Sequence, residues 1–210
     1  MTTPFDGETF AFFSELVDDN TREFWQANKA RFDEHVKAPM DATCSALEKS
    51  FGPFKQFRMH RDVRFSKDKS PYKIHAGAVA TEGGRRYFHV DRNGMLIAAG
   101  SFTPEPDKLK RLRAAIADDA SGKKLQAILN KLLAKDYEID PGLAKPLATA
   151  PRGYPKDHPR IELLRWKGLM AVHRVSAKTL AGDDAPHKRI AKVFQDAKPL
   201  VAWCEAHLDA

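Results

Sequence analysis

The chain has 210 residues, of which 42% are hydrophobic and 30% charged. That balance excludes a disordered or fibrous protein, and the length lets about 70% of the unfolded surface be buried without disulfides or a structural metal. Lys and Arg number 35 against 28 Asp and Glu, and the resulting +7 favours polyanionic partners while also serving solubility alone.

In chain order, Phe10, Phe13, Leu16 and Val17 recur at helical spacing behind a cap at Asp6, so a first helix is expected to about Asp18. Asn20 followed by Glu23 predicts a reciprocal cap on a second helix, which carries Phe24, Asn28, Phe32 and His35 and stops before Pro39. Pro39 suits the first turn of a third helix with Leu47 and Phe51, closed by Gly52-Pro53. The middle of the chain changes character. Residues 74–80, 85–91 and 95–102 are rich in β-formers, with Gly83-Gly84 and Asn93-Gly94 between them, which predicts an antiparallel meander. Leu109, Leu112 and Ile116 mark a helix after Pro106, and Leu125, Ile128, Leu129 and Leu132 mark another with Ser121 as its cap. A proline-rich crossing over 135–157 leads to a short helix at 161–166 and a strand at 169–175. A last helix over 186–207 is expected to bend near Pro199. Helices before and after a mainly antiparallel sheet predict the α+β class, as one domain over residues 1–210.

Cys44 and Cys204 match no metal or redox spacing and read as small apolar fillers in a reducing compartment. The opening residues show no basic segment leading into an apolar stretch. The longest apolar run, residues 95–99, is far short of the roughly 20 residues of a membrane helix. A cytoplasmic location and no membrane partner are the expectation.

Residues 58–75 hold six Lys or Arg against two Asp, so +4 of the net charge is concentrated there. Arg61, Arg64, Lys67, Lys69 and Lys73 are candidate donors to a phosphate or carboxylate, because a guanidinium fork grips either in two-point fashion. Ser66, Ser70, Tyr72 and the amides near Pro71 complete the candidate anion nest. In the competing reading the segment is a solvated loop in which Asp62 and Asp68 neutralise their neighbours. A second segment, Pro151-Arg152-Gly153-Tyr154-Pro155-Lys156-Asp157-His158-Pro159-Arg160, fixes Asp157 and His158 between prolines. Imidazole is the side chain best matched to proton transfer near neutral pH, so His158 is the candidate general acid or base, oriented by Asp157 or Asp62, with Arg152 closing the site. The structural alternative has Asp157 capping the next helix with His158 in its first turn. Trp25 beside Phe24 is expected in the core. Phosphate-loop, dinucleotide, zincin and hydrolase-elbow motifs do not occur, so nothing supports those enzyme classes.

The strings DNTREFWQANKARFDEHVKAPM, FRMHRDVRFSKDKSPYK and PRGYPKDHPRIELLRWKGL together resemble the family of domain of unknown function 2461 over about residues 10–200. Where that family typically carries two asparagines this chain has Asp19-Asn20, and Phe24-Trp25 replaces Trp-Phe. The resemblance implies one α+β domain and no particular activity, cofactor or oligomeric state. Its polar, charged strings fall in expected loops, where sites concentrate. The leading expectation is a binding module or enzyme whose basic pocket takes a small anionic ligand. The alternatives are nucleic-acid binding, with Phe65 and Tyr72 stacking on bases, a metal-dependent hydrolase using Asp62, Asp68, Asp157 and His158, and a scaffold without chemistry. The cofactor, whether the chain is an enzyme at all, and any assembly stay open.

Overall fold

A computed structural model describes residues 4–82, 85–102, 104–142 and 144–209. The Gly83-Gly84 turn lies outside the described residues. The elements are α1 (Gly7–Asp18), α2 (Arg22–Ala27), α3 (Lys29–Phe32), a π-helical turn (Asp33–Lys37), α4 (Ala38–Phe51), β1 (Phe54–Gln56), β2 (His75–Ala80), β3 (Arg86–Asp91) and β4 (Gly94–Ser101). There follow α5 (Pro106–Ala117), α6 (Asp119–Leu133), β5 (Glu138–Asp140), α7 (Ile161–Arg165), β6 (Leu169–Ser176), α8 (Ala177–Ala181), α9 (Pro186–Asp196) and α10 (Lys198–Leu208). Helices flank a mainly antiparallel sheet in sequence, so the fold is α+β. Two compact units are formed, unit one from Met1–Ile97 with Arg174–Lys192 and unit two from Ala98–His173 with Val193–Ala210. Among the described residues, no helix is long and apolar enough to cross a membrane.

In unit one the strands run in the order β1-β2-β3-β4, with His75 opposite Asp91, Gly77 opposite His89 and Val79 opposite Tyr87. Ala76, Ala78, Ala80, Phe88 and Val90 point to the buried face, so residues 75, 77, 87, 89 and 91 share the other one. The β3–β4 hairpin turns at Arg92-Asn93, one residue earlier than the expected Asn93-Gly94, and Gly94 opens β4. A side chain at Gly94 (φ 128°) would collide with the Val175 carbonyl, where the end of β6 passes beside it. The helical layer is built on Phe12, which meets Phe13 at 5.5 Å and Phe32 at 5.5 Å between ring centroids, while Trp25 meets Phe32 at 4.8 Å. Rings at these separations attract beyond the area they bury.

The second helix does not stop before Pro39. Pro39 has no N–H to return to the His35 carbonyl, so a regular α-helix would leave that oxygen unpaired. The chain instead widens into a π turn, closed by Ala38 N–H on the Asp33 carbonyl, and continues as α4 with Pro39 in its first turn. The orphaned His35 carbonyl accepts from the buried Thr9 hydroxyl at 2.6 Å, and the His35 Nδ1 lies 2.8 Å from Asp6 Oδ2. Asp6 and Thr9 also cap α1 reciprocally, so one cluster fastens the start of α1 to the bulge. The cap of α2 is Thr21 and not Asn20. The cap of α6 is Asp118, which accepts from Ser121 N–H at 2.8 Å, and Ser121 itself is buried inside the first turn.

In unit two the strands run β4-β6-β5, with Glu138 opposite Val172. Its core gathers Leu112, Ile116, Leu125, Leu129, Leu164, Val201 and Trp203. The expected last helix divides into α9 and α10 at Ala197, with Pro199 in the first turn of α10. Arg160, the last residue of the second candidate segment, is buried and donates to the Ile116 carbonyl at 2.6 Å, the Ala117 carbonyl at 2.9 Å and Asp119 Oδ1 at 2.9 Å. It satisfies the end of α5, where carbonyls lack helical partners. The two strands that periodicity missed, β1 and β5, have three residues each and are defined by their neighbours. Both cysteines are buried, and neither is in a disulfide.

Candidate functional site

The basic segment is a loop fastened at its base. Arg61 N–H donates to the Pro71 carbonyl and Lys73 N–H to the Met59 carbonyl, both at 2.8 Å, around an isolated bridge between His60 and Tyr72. Asn20 holds the same spot from the helical layer, donating Nδ2–H to the Tyr72 carbonyl at 3.0 Å and accepting Tyr72 N–H at 3.1 Å. The Tyr72 ring is buried and stacks on Trp25 at 4.4 Å with 14° between planes. Tyr72 is therefore an anchor and has no face left for a ligand or a base.

Beyond that base the loop is organised by its own carboxylates. Arg61 pairs with Asp68, and Arg64 forks onto Asp62 at 2.9 and 2.6 Å. Ser70 gives both its N–H (2.9 Å) and its hydroxyl (2.6 Å) to Asp68, so the expected nest already holds a resident anion. These bonds keep the Asp68 carboxyl well below the usual carboxylate range, led by the Ser70 hydroxyl, and the Arg64 guanidinium does the same for Asp62. Lys69 donates to the Val63 carbonyl at 3.1 Å, Ser66 N–H to the same oxygen at 3.3 Å, and Lys73 Nζ to the Arg58 carbonyl at 2.8 Å. Lys67 is exposed. The tip presents Phe65, 97% exposed, with the Arg64 guanidinium 5.9 Å from its ring centre. At Arg61 and Arg64 the charge run is matched locally, which counts against the tip as a pocket.

The C-terminal set lies in unit two, where Arg152 and Asp157 are exposed. His158 Nδ1 accepts the Arg160 N–H at 3.1 Å and so shapes the turn into α7. Asp62 belongs to unit one, where it pairs with Arg64. Asp157 does not cap α7, whose first flanking residue is Arg160. Among the described residues, no group of three or more His, Cys, Asp or Glu is arranged to hold a metal ion.

The polar concentration that sequence reasoning missed lies on the second face of the unit-one sheet. His75 and His89, on neighbouring strands, bring their rings to 4.8 Å at 39°. The Tyr87 hydroxyl lies 3.0 Å from His89 Nδ1, and Asp91 Oδ2 lies 3.9 Å from His89 Nε2. Gly77 makes this possible, since a side chain there would press on the Tyr87 hydroxyl and the Cβ of His89. Phe57 lies beside Tyr87 at 6.2 Å and carries Lys73 over its ring at 5.2 Å.

Electrostatics ties these groups together. Burial, and then the nearby Arg58, lower the Lys73 ammonium. Burial and Lys73 lower His75, against the opposing pull of Asp91. Burial first, then His75 and Arg174, push His89 down to about 4, with Asp91 again opposing. Burial and Asp91 push the Tyr87 phenol up to about 12. At neutral pH the face thus carries two neutral imidazoles, a phenol and one carboxylate, bordered by the cations Arg58, Lys73 and Arg174. A readable signal existed in Tyr87-x-His89-x-Asp91, whose alternation places three polar groups on one side of a strand.

Fold and face together define an α+β protein with an imidazole-phenol cluster on one side of a sheet and a self-paired basic loop at its border. A profile of the family described as "Conserved hypothetical protein (DUF2461)" matches residues 8–203, and the chain belongs to that family. Comparisons with the curated proteins and with the solved structures find no match.

Proposed function

We propose that this protein binds a small ligand bearing a phosphate or carboxylate, and that the ligand sits at the base of the basic loop on the His75–His89 face. One observation carries the reading. Burial and then Arg58 disfavour the charge on Lys73, burial and Lys73 disfavour a proton on His75, and burial, His75 and Arg174 disfavour one on His89, with Asp91 the carboxylate that opposes at the two imidazoles. An anion relieves such a cluster. Of the residues singled out in the sequence, Lys73 takes part directly, whereas Arg61, Arg64, Ser66, Lys69 and Tyr72 build the loop that positions it. Asp62 belongs with them as the partner of Arg64, and Lys67 stays a peripheral cation. A family match that runs through both units supports treating the chain as one domain. The reading is tested by titrating the full chain with inorganic phosphate while recording amide and imidazole resonances. Saturable shifts centred on Lys73, His75 and His89, weakened about tenfold by Lys73→Met, are expected for the loss of a charged hydrogen bond. Shifts elsewhere, or none at millimolar phosphate, overturn it.

A second reading rests on Phe65, whose fully projecting ring between cations suits stacking by a single-stranded nucleic acid. It predicts oligonucleotide binding that weakens steeply with salt and disappears in Phe65→Ser. Oligonucleotide affinity unchanged by Phe65→Ser rules it out. Phe65 stands alone in that role now that Tyr72 lies buried against Trp25.

A further inference from the structure

Exposed apolar surface gathers where the positive charge does. Among the described residues, the large hydrophobic side chains open to solvent are Phe57, Phe65, Ile74 and Leu133, and the first three fall within residues 57–74. Phe65 occupies the loop tip, whereas Phe57, 41% exposed, lies at the loop base beside the sheet face. The core does not account for a ring there. Phe54, at the start of β1, turns inward and packs on Phe88 at 5.9 Å. Strand alternation therefore sends Lys55 and Phe57 to the opposite side, the side of Val79 and Tyr87. Phe57 N–H donates to the Gly77 carbonyl at 2.9 Å, and Gly77 has no side chain to lay over the ring from the neighbouring strand. Tyr87 leans across Gly77 and comes to 6.2 Å of Phe57 between ring centres. The Lys73 ammonium stands 5.2 Å from the Phe57 ring centre. It has three N–H groups, one of which goes to the Arg58 carbonyl at 2.8 Å, and the others are left to donate beside the ring.

We propose that the ligand of this site is an aromatic phosphate or carboxylate, with its acid group on Lys73 and its ring against Phe57. The inference rests on the anion-site reading above and supplies the other half of the ligand. A bare oxyanion satisfies the ammonium and leaves the adjoining apolar surface wet. A ring on the same molecule covers that surface, which removes apolar area from water and brings two aromatic rings into contact. The short distance from ammonium to ring sets the ligand's dimensions, because its acid group must be joined to its ring directly or through a short link. A Phe57 that did no more than hold Lys73 in place would matter equally to every anion. A Phe57 that touches the ligand matters to aromatic anions alone.

The test compares phenyl phosphate with methyl phosphate, monoesters of like charge at pH 7, in titrations of the full chain at constant ionic strength. Phenyl phosphate is expected to bind about tenfold more tightly, within the range that one stacked ring contributes. Phe57→Ala is expected to bring phenyl phosphate down to the affinity of methyl phosphate and to leave methyl phosphate unchanged. Phe57→Tyr keeps a ring and is expected to keep the preference, while Lys73→Met weakens both esters alike. In the unaltered protein, ring-current shifts at the Phe57 and Tyr87 ring protons are expected with phenyl phosphate and not with methyl phosphate, a readout that needs no variant to fold. If neither ester binds, the anion-site reading falls and takes this inference with it. If both bind equally, if the preference survives Phe57→Ala, or if Phe57→Ala weakens both esters alike, the anion site stands and the aromatic ligand is refuted.

Discussion

Replacing Asn20 by Ala removes the two hydrogen bonds that join the α2 approach to the backbone of Tyr72, at 3.0 and 3.1 Å. Net, each such bond contributes about 1 kcal/mol, and the buried Tyr72 N–H and carbonyl left behind add a desolvation cost. The sum is about 3 kcal/mol, or roughly 6–12 °C in Tm for a chain of this size. The loss also has an address, because those bonds secure the base of the loop over residues 58–75. Urea unfolding gives the global effect, and native-state hydrogen exchange locates it through faster exchange at Arg61 and Lys73, whose amides close the loop base. Asn20→Asp keeps the acceptor for Tyr72 N–H but sets an anionic oxygen against the Tyr72 carbonyl, so it is expected to be no milder. An Asn20→Ala protein within about 0.5 kcal/mol of the parent, with unchanged exchange at those amides, would refute the anchoring argument.

Stability is expected to fall as the pH drops below the ordinary histidine value. The folded His89 titrates at about 4, below the ordinary histidine value, so the unfolded chain binds more protons as pH drops from about 6.5 to 4. The folded state loses up to about 3 kcal/mol across that window, and His89→Gln is expected to flatten the slope in denaturant midpoints taken between pH 7 and 4.5. Thr9→Val, nearly isosteric, strips the His35 carbonyl of its donor and is expected to cost about 1–3 kcal/mol in urea unfolding, with Thr9→Ser close to neutral. Burial first, then Asp41 and Glu48, push the Cys44 thiol up to about 12. In a Cys204→Ala background, thiol labelling at pH 8 is expected to proceed only as fast as the protein opens, and rapid labelling of the native state would contradict that.

The helices and the long strands were legible because each repeats its apolar residues at the period of its own geometry, as Leu112 and Ile116 do in α5 and Phe88 and Val90 in β3. Three-residue strands leave no period to read, so β1 and β5 were invisible until their partners were known. Pro39 reads as a helix boundary because sequence alone does not show that Thr9 takes over the abandoned carbonyl. The concentration of charge over 58–75 was plain, but its meaning turned on local geometry that brings Asp68 to Arg61 and Asp62 to Arg64. Asn20 and Tyr72 sit 52 positions apart, a contact that no pattern announces. The imidazole face could have been found, had the alternation in residues 87–91 been read for its polar members as well as its apolar ones.

The widened turn at Asp33–Lys37 spends one more residue than a regular helix would over the same rise. Each residue advances a helix by about 100°, so that extra residue sets the rotational phase of everything after it. Met40, Thr43, Cys44 and Leu47 face inward in α4 only because the phase was reset before them. Substitutions within the turn should therefore be absorbed easily, whereas deleting a single residue would swing the apolar stripe of α4 toward water. At this place the number of residues is under tighter constraint than their identity.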